Sequence, residues 1–331
     1  MAEAVEWIIW IITGACNLHC PYCYASRYLQ EKPLGFREVS RILSEASELG
    51  VKHVNYTGGE PLLRRDIVDI IRETIDRGME ASIFTNLTLA NTEIIRSFSR
   101  LDVLVYTSLD GPREVYEKAK GEGTWARFVH GVKLLREQGV SFHVNIPVSR
   151  INYNRVYDAV RLAVDLGASS ISIIPAMPAG RALATGTWVS RREFIEALKA
   201  AEKAAEELGI TIAAWCSPFI PSLDWAKHIS SSNCRDWKVV DLTPSGKLVL
   251  CDVLGLVVAD VVKEGLRNAA RKMEEHPLLK RARKIPGECM KCPLASFCRG
   301  GCYARALHAW GRLPSPDPLC PLAPPAPSGR L

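Results

Sequence analysis

The sequence predicts an α/β fold: a partial (βα)6 barrel of the TIM type, followed by a small, irregular α+β domain rich in cysteine. Three observations predict it. From the start to about residue 175, short apolar runs alternate with amphipathic stretches of helical period, the pattern of a parallel sheet with crossover helices. A single long pattern rich in Ala, Glu and Lys then covers 191–208. Beyond it the chain turns irregular and carries eight of the eleven cysteines. The implied division is a barrel over 1–189, a bridging helix over 190–209 and a cysteine domain over 210–331.

In order, strands are expected over 6–13, 53–57, 81–85, 103–108, 141–146 and 170–175. Helices are expected over 37–49, 64–77, 92–98, 125–138 and 153–166. Several of these helices end at a glycine, namely Gly50, Gly78, Gly139 and Gly167, where a left-handed residue can stop a helix without a Cβ clash. Six βα units in series demand right-handed crossovers and so a curved sheet. The bridging helix has Ser190 as its N-cap and Gly209 as its stop. Its C-terminal continuation closes in a proline-laden tail over 313–327 without regular structure, tied down by Cys320. There is no repeat of the solenoid type.

Composition narrows the function classes. With 331 residues and 47% hydrophobic content the chain can bury a large core. The apolar run from Trp7 to Ile12 is far short of the roughly 20 residues that span a bilayer, so neither a membrane segment nor a signal peptide is read. The formal charge of +6 comes from Lys and Arg scattered among Glu and Asp rather than gathered in blocks, which argues against nucleic acid as a partner. Eleven cysteines are an odd number, and ten fall in tight groups, a usage that suits metal in a reducing, cytoplasmic setting better than disulfides.

The first strand runs into Cys16-Asn17-Leu18-His19-Cys20-Pro21-Tyr22-Cys23. Three thiols are one too few for a closed metal site and leave one position open; zinc with His19 as fourth ligand is the competing reading. The second strand ends in Tyr56-Thr57-Gly58-Gly59-Glu60-Pro61, where two glycines permit close approach to the backbone. Together these motifs resemble the radical S-adenosylmethionine superfamily, whose hallmark is CxxxCxxC after strand one and GGE after strand two.

That resemblance implies a [4Fe–4S] cluster on Cys16, Cys20 and Cys23, with S-adenosylmethionine chelating the open iron. It further implies that Tyr22 lies against the adenine and that Gly58, Gly59 and Glu60 receive the methionine amino group. Later strands end in Thr85-Asn86, Ser108-Leu109-Asp110-Gly111 and Asn145, at the edge where such barrels build their active sites. By the resemblance Ser108, Asp110 and Asn145 touch the cofactor, although Ser-x-Asp-Gly is also an ordinary turn. One departure stands out: where relatives place an arginine for the methionine carboxylate, this chain reads Tyr116-Glu117-Lys118-Ala119-Lys120, and a lysine offers charge without a bidentate fork.

The C-terminal cysteines run Cys234-x11-Gly246-x4-Cys251, then Cys289-x2-Cys292-x5-Cys298-x3-Cys302, then Cys320. This order resembles the SPASM extension of radical S-adenosylmethionine enzymes, whereas Cys289-x2-Cys292 alone would suit half a zinc ribbon. The resemblance implies two auxiliary [4Fe–4S] clusters, three in all. One takes Cys289, Cys292, Cys298 and Cys320; the other takes Cys234, Cys251 and Cys302 with Cys216 as the candidate fourth ligand. Cys216 as a buried free thiol, leaving an open iron, is the alternative. Two four-thiolate clusters at about −2 and one three-thiolate cluster at about −1 would offset most of the formal charge. Ligation across such long loops ties the folding of this region to iron and sulfide.

The activity implied is reductive cleavage of S-adenosylmethionine to a 5′-deoxyadenosyl radical that abstracts hydrogen from a substrate. The electron comes from a donor such as ferredoxin or flavodoxin. In relatives that oxidise protein side chains an acidic residue after the cysteine matching Cys251 is a base, which makes Asp252 the candidate proton acceptor or else an outer carboxylate. Trp188, Trp215, Trp225, Trp237 and Tyr303 can line a substrate cavity or pack as core. The expected substrate is a peptide or protein, modified by crosslinking, epimerisation or side-chain oxidation. A tetrapyrrole of an alternative haem pathway is the second expectation, and a non-catalytic electron carrier the third. The chain starts only a few residues before strand one, so no leader-peptide-binding domain is expected ahead of it.

Overall fold

The computed structural model describes residues 5–236 and 238–326. Its strands are β1 (Trp7–Thr13), β2 (His53–Gly58), β3 (Glu80–Phe84), β4 (Leu104–Ser108), β5 (Phe142–Val148), β6 (Ser170–Pro175), β7 (Ile212–Ala214), β8 (Ile229–Ser231), β9 (Val239–Leu242), β10 (Lys247–Val249) and β11 (Val257–Asp260). Among the described residues they form one sheet in the order β11-β10-β9-β1-β2-β3-β4-β5-β6-β7-β8. The pairs from β1 through β8 are all parallel. All six expected strands are present and pair in sequence order. The expected helices appear as Phe36–Glu48, Ile67–Asp76, Thr92–Arg100, Thr124–Glu137 and Val156–Asp165.

Alternation along the strands sorts side chains to two faces. Ile8, Trp10, Val54, Tyr56, Ile83, Val105, Val144, Ile171 and Ile173 are buried under the helices and share one core with Val39, Ile42, Ile70 and Ile71. Each fully buried aliphatic side chain there contributes about 1.5–3 kcal/mol. The opposite face carries polar side chains among aromatic ones such as Trp7, Phe84 and Tyr106. His53 and Asn55 both bond Ser82 Oγ at 2.7 Å. Ninety residues on, His143 and Asn145 bond Ser172 Oγ at the same 2.7 Å. The barrel thus repeats one His-x-Asn/Ser clamp on β2–β3 and on β5–β6, a short internal repeat visible in the two His-Val-Asn runs.

The helix Arg191–Leu208 begins in a reciprocal capping box between Ser190 and Glu193 and ends at Gly209 with φ 64°. It is itself a crossover, because the β7 that follows pairs parallel with β6. Beyond residue 210 the chain continues the same sheet at both edges: β7 and β8 extend it past β6, and β9 pairs parallel with β1 before an antiparallel turn through β10 and β11.

The tail has no helix or strand from Leu313 to the last described residue, yet residues 315–319 are buried. Arg191 donates to the carbonyls of Pro318, Ala323 and Pro324 and pins the tail to the long helix. No helix among the described residues is long and apolar enough to cross a membrane.

Candidate functional site

Strand β1 delivers the loop of Cys16, Cys20 and Cys23 to the C-terminal edge of the barrel, and three neighbours hold it there. From the β2 end, Gly59 N donates to Thr13 O and Glu60 N to Ala15 O, both at 2.8 Å. A Cβ on Gly59 would lie 2.1 Å from Ala15 O, and one on Gly58, at φ +152°, 2.4 Å from Thr13 O. The glycine pair is therefore required by the loop's own backbone. From the β3 end, Asn86 and Thr88 bond Asn17 at 3.0 and 2.8 Å. After β6, Arg181 donates its amide to Cys23 O at 3.0 Å and its Nη1 to Cys20 O at 2.8 Å. Asn86 was marked only as the polar end of its strand, and Asn17 and Arg181 were given no role by sequence, since only the loop's position makes sense of them.

Glu60 is fully buried. Its carboxylate accepts from Leu62 N (3.0 Å), Thr85 Oγ1 (2.6 Å) and Asn86 N (2.7 Å), which tie the β2 and β3 ends together. Burial pushes its carboxyl up while these donors pull it down. Ser108 and Asn145 are register partners on β4 and β5.

The helix Arg113–Lys120, not expected from sequence, turns its last residue inward. Lys120 Nζ bonds Ser108 Oγ at 2.8 Å and Tyr22 OH at 3.2 Å and lies 3.4 Å from Asp110, with both charged side chains buried. Burial opposes the Lys120 charge, but Asp110 and Cys20 outweigh it and hold the ammonium above its ordinary range. Burial likewise raises the Asp110 carboxyl against the pull of Lys120, its ion-pair partner, and of the Tyr22 hydroxyl.

Burial also pushes the Cys16 thiol up to about 11, opposed by the Leu18 amide and reinforced by the charges of Glu60, Cys20 and Cys23. Among the described residues the one group of His, Cys, Asp or Glu donors gathered within 4.8 Å is Asp241, Cys251 and Asp252. Cys16, Cys20 and Cys23 spread wider than thiolates sharing one tetrahedral zinc, which at 2.3 Å bonds sit about 3.8 Å apart. His19 is solvent-exposed. The donor set suits a polynuclear cluster with one open metal, and the buried Lys120–Asp110 pair, one charge of each sign, suits a zwitterionic ligand.

All eleven cysteines are free thiols. Beyond the barrel they gather in two sets. In the first, Cys216, Cys251 and Cys302 share one buried cluster, and Cys234 joins Cys251 in the adjoining one. The neighbouring Cys302 and burial raise Cys216, while Cys302 is drawn down by Cys216 and Arg305. In the second set Cys289, Cys292, Cys298 and Cys320 line one cavity with Phe219, Leu294 and Pro316. Cys216 thus stands with the three-cysteine set rather than apart.

Asp252 lies between the barrel loop and the first C-terminal set. Its Oδ2 accepts from Tyr24 OH at 2.6 Å, its carbonyl from Tyr28 OH at 2.6 Å, and its amide donates to Asp241 at 2.8 Å. Tyr24 directly follows Cys23 and Asp252 directly follows Cys251, so one hydrogen bond spans the two sites. Burial raises the Asp252 carboxyl, with Tyr24 pulling it back. Of the aromatic residues, Trp215 stacks on His143 at 5.2 Å, Trp188 meets His308 edge-on, Trp225 lies under Lys199, and Tyr303 is buried with its hydroxyl on Leu250 O. Trp237 lies outside the described residues.

Residues 10–163 match the Radical SAM superfamily. Over 98% of this chain and 89% of the relative, 26% of residues are identical to the AdoMet-dependent heme synthase of Oleidesulfovibrio alaskensis. The PqqA peptide cyclase of Gluconobacter oxydans is also 26% identical, over 95% of this chain and 89% of its own length. Among solved structures, anSMEcpe with bound AdoMet and Cp18Cys peptide superposes with TM-score 0.75 at 16% identity, covering 96% of this chain and 94% of that one. Streptococcus suis SuiB bound to the precursor peptide SuiA gives 0.70 at 15%, covering 97% and 76%. The superfamily match runs through both the cysteine loop and the glycine pair that receives it, and over those residues the chain carries a radical SAM domain, the fold that cleaves S-adenosylmethionine at a [4Fe–4S] cluster.

Proposed function

We propose that this enzyme cleaves S-adenosylmethionine at a cluster held by Cys16, Cys20 and Cys23 and uses the radical to oxidise a peptide or protein side chain. When bound, the cofactor pair accepts one electron from a ferredoxin- or flavodoxin-type donor and supplies methionine and a 5′-deoxyadenosyl radical, which removes a hydrogen atom from substrate. The observation that carries this reading is the convergence of the three-cysteine loop, the Gly58–Gly59–Glu60 turn and the Lys120–Asp110 pair at the ends of β1, β2 and β4.

In this reading Lys120 meets the methionine carboxylate and Asp110, its ion-pair partner, meets a cationic group. Gly58 and Gly59 present the β2 end to the methionine amino group, and Glu60 fixes that end. Tyr22, held through its hydroxyl by Lys120, offers its ring to the adenine. Ser108 and Asn145, adjacent in register, face the nucleoside. Cys289, Cys292, Cys298 and Cys320 would hold one auxiliary cluster and Cys216, Cys234, Cys251 and Cys302 a second, and such clusters would supply an acceptor for the second electron of substrate oxidation.

Asp252 accepts the proton released as the substrate is oxidised, held in place by Tyr24. Asp252→Asn is expected to lower product formation by about 10²- to 10⁴-fold. 5′-Deoxyadenosine should continue to form, so the ratio of 5′-deoxyadenosine to product, by liquid chromatography and mass spectrometry, should rise steeply. An unchanged ratio removes the proton-acceptor role.

The peptide reading is supported by likeness of fold to two enzymes solved with bound peptides. The second reading, a tetrapyrrole, is supported by 26% identity over at least 96% of this chain to three heme synthases. Deuterated candidate peptides and a deuterated propionate-bearing porphyrin separate them. Deuterium appearing in 5′-deoxyadenosine from a peptide supports the first reading, and deuterium from the porphyrin alone overturns it in favour of the second.

A further inference from the structure

Cys216 adopts φ +54°, in the left-handed region that residues with a Cβ rarely enter. Such an outlier persists only where its surroundings over-determine it. On one side Trp215 N donates to Ile173 O at 2.9 Å, and Ser217 Oγ donates to Trp215 O at 3.2 Å. On the other, Arg305 Nη2 donates to the Cys216 carbonyl at 2.5 Å.

Arg305 is itself 2% exposed and is held by a bidentate pair with Asp317, Nε to Oδ1 at 3.0 Å and Nη2 to Oδ2 at 2.6 Å. Its remaining Nη1 points to Met177 Sδ at 3.4 Å. Asp317 in turn accepts from the amides of Cys302 (2.9 Å) and Leu319 (3.0 Å), and its carbonyl accepts from Cys320 N at 3.1 Å. One buried ion pair therefore touches the backbone of Cys216, Cys302 and Cys320, which belong to both C-terminal cysteine sets. The approach is built in: a Cβ on Gly301, at φ +79°, would lie 2.3 Å from Asp317 Cβ.

We infer that Arg305 and Asp317 are positioning residues that hold Cys216 in its left-handed turn so that its thiol completes the set of Cys234, Cys251 and Cys302. The inference rests on the proposed ligation by Cys216. A fork is needed, because a single guanidinium must reach Cys216 O and both Asp317 oxygens at once, and a lysine ammonium lacks that geometry.

The test compares Arg305→Lys, Asp317→Asn, Cys216→Ala and the double variant Arg305→Lys/Cys216→Ala as full-length, anaerobically reconstituted protein. Iron and sulfide are counted, and electron paramagnetic resonance is recorded on the reduced protein. Cys216→Ala should lose the signal of one auxiliary cluster and up to about one third of the iron. Arg305→Lys and Asp317→Asn should reproduce that altered spectrum, and the double variant should lose no more than Cys216→Ala alone.

If Arg305→Lys lowers the melting temperature but keeps wild-type iron and spectrum, the pair is only structural and the inference is overturned. Should Arg305→Lys fail to fold, Asp317→Asn, nearly isosteric, decides by the same readout. If Cys216→Ala itself keeps wild-type iron and spectrum, it is the ligation by Cys216 that is wrong, and the inference falls with it.

Discussion

Cys16→Ala abolishes 5′-deoxyadenosine formation and removes about one third of the bound iron, leaving the contribution of the C-terminal sets in place. The barrel loop offers three thiols and no substitute: His19 points to solvent. Glu60, the nearest carboxylate acting on Cys16, already accepts three hydrogen bonds within the protein. Two thiolates cannot hold a cluster that three hold with one metal open. The same variant at Cys292 should spare 5′-deoxyadenosine formation, because that cysteine lies in the separate cavity beside Phe219. Iron counts and product yield on the two variants side by side check both halves.

Lys120→Met should be the most damaging change outside the cysteines. It deletes the cation between Asp110, Ser108 and Tyr22 and strands a fully buried carboxylate. Breaking one partner out of a buried pair costs about 3–5 kcal/mol. The carboxylate escapes part of that by taking up a proton. Asp110 is already raised by burial in the native protein, and losing Lys120 removes the main force holding it down.

The sign follows. A carboxyl raised on folding binds more protons in the folded state, so its destabilisation is absent in acid and grows as pH rises from the ordinary carboxylate value through the folded one. Thermal melts of Lys120→Met should therefore fall furthest below wild type near about pH 8 and less near about pH 5. Lys120→Met/Asp110→Asn should recover stability while S-adenosylmethionine cleavage stays at least about 10²-fold reduced, since the charge proposed to meet the methionine is still missing. Recovery of cleavage along with stability would reduce Lys120 to a structural role.

The parts of the fold legible in the sequence were those with local periodicity. The six barrel strands and their helices announce themselves by alternation and by glycine stops. The edge strands do not, because β7, β8 and β10 are three residues each, and β9 finds β1 only through a pairing between positions more than two hundred residues apart. The helix Arg113–Lys120 is largely charged, so its four buried residues, Val115, Tyr116, Ala119 and Lys120, were not read as a face.

Lys120 shows the same limit at the site. The sequence marked it as a poor replacement for an arginine, whereas the geometry buries it at the meeting point of Tyr22, Ser108 and Asp110. Cys216 was separable from a stray thiol only by counting ligands; its left-handed turn and the Arg305 fork come from residues ninety positions apart. The irregular backbone of the tail is legible in its prolines but its burial is not, because that depends on Arg191 and on the Arg305 partner of Asp317, which hold it from outside its own sequence pattern.

The central claim is that this chain makes a radical from S-adenosylmethionine at the three-cysteine loop. Protein reconstituted anaerobically with iron and sulfide, reduced with dithionite and given S-adenosylmethionine, is predicted to be brown and to release 5′-deoxyadenosine and methionine in equal amounts, dependent on Cys16, Cys20 and Cys23. A colourless, zinc-bearing protein, or a brown one that releases no 5′-deoxyadenosine above a no-enzyme control, would contradict it.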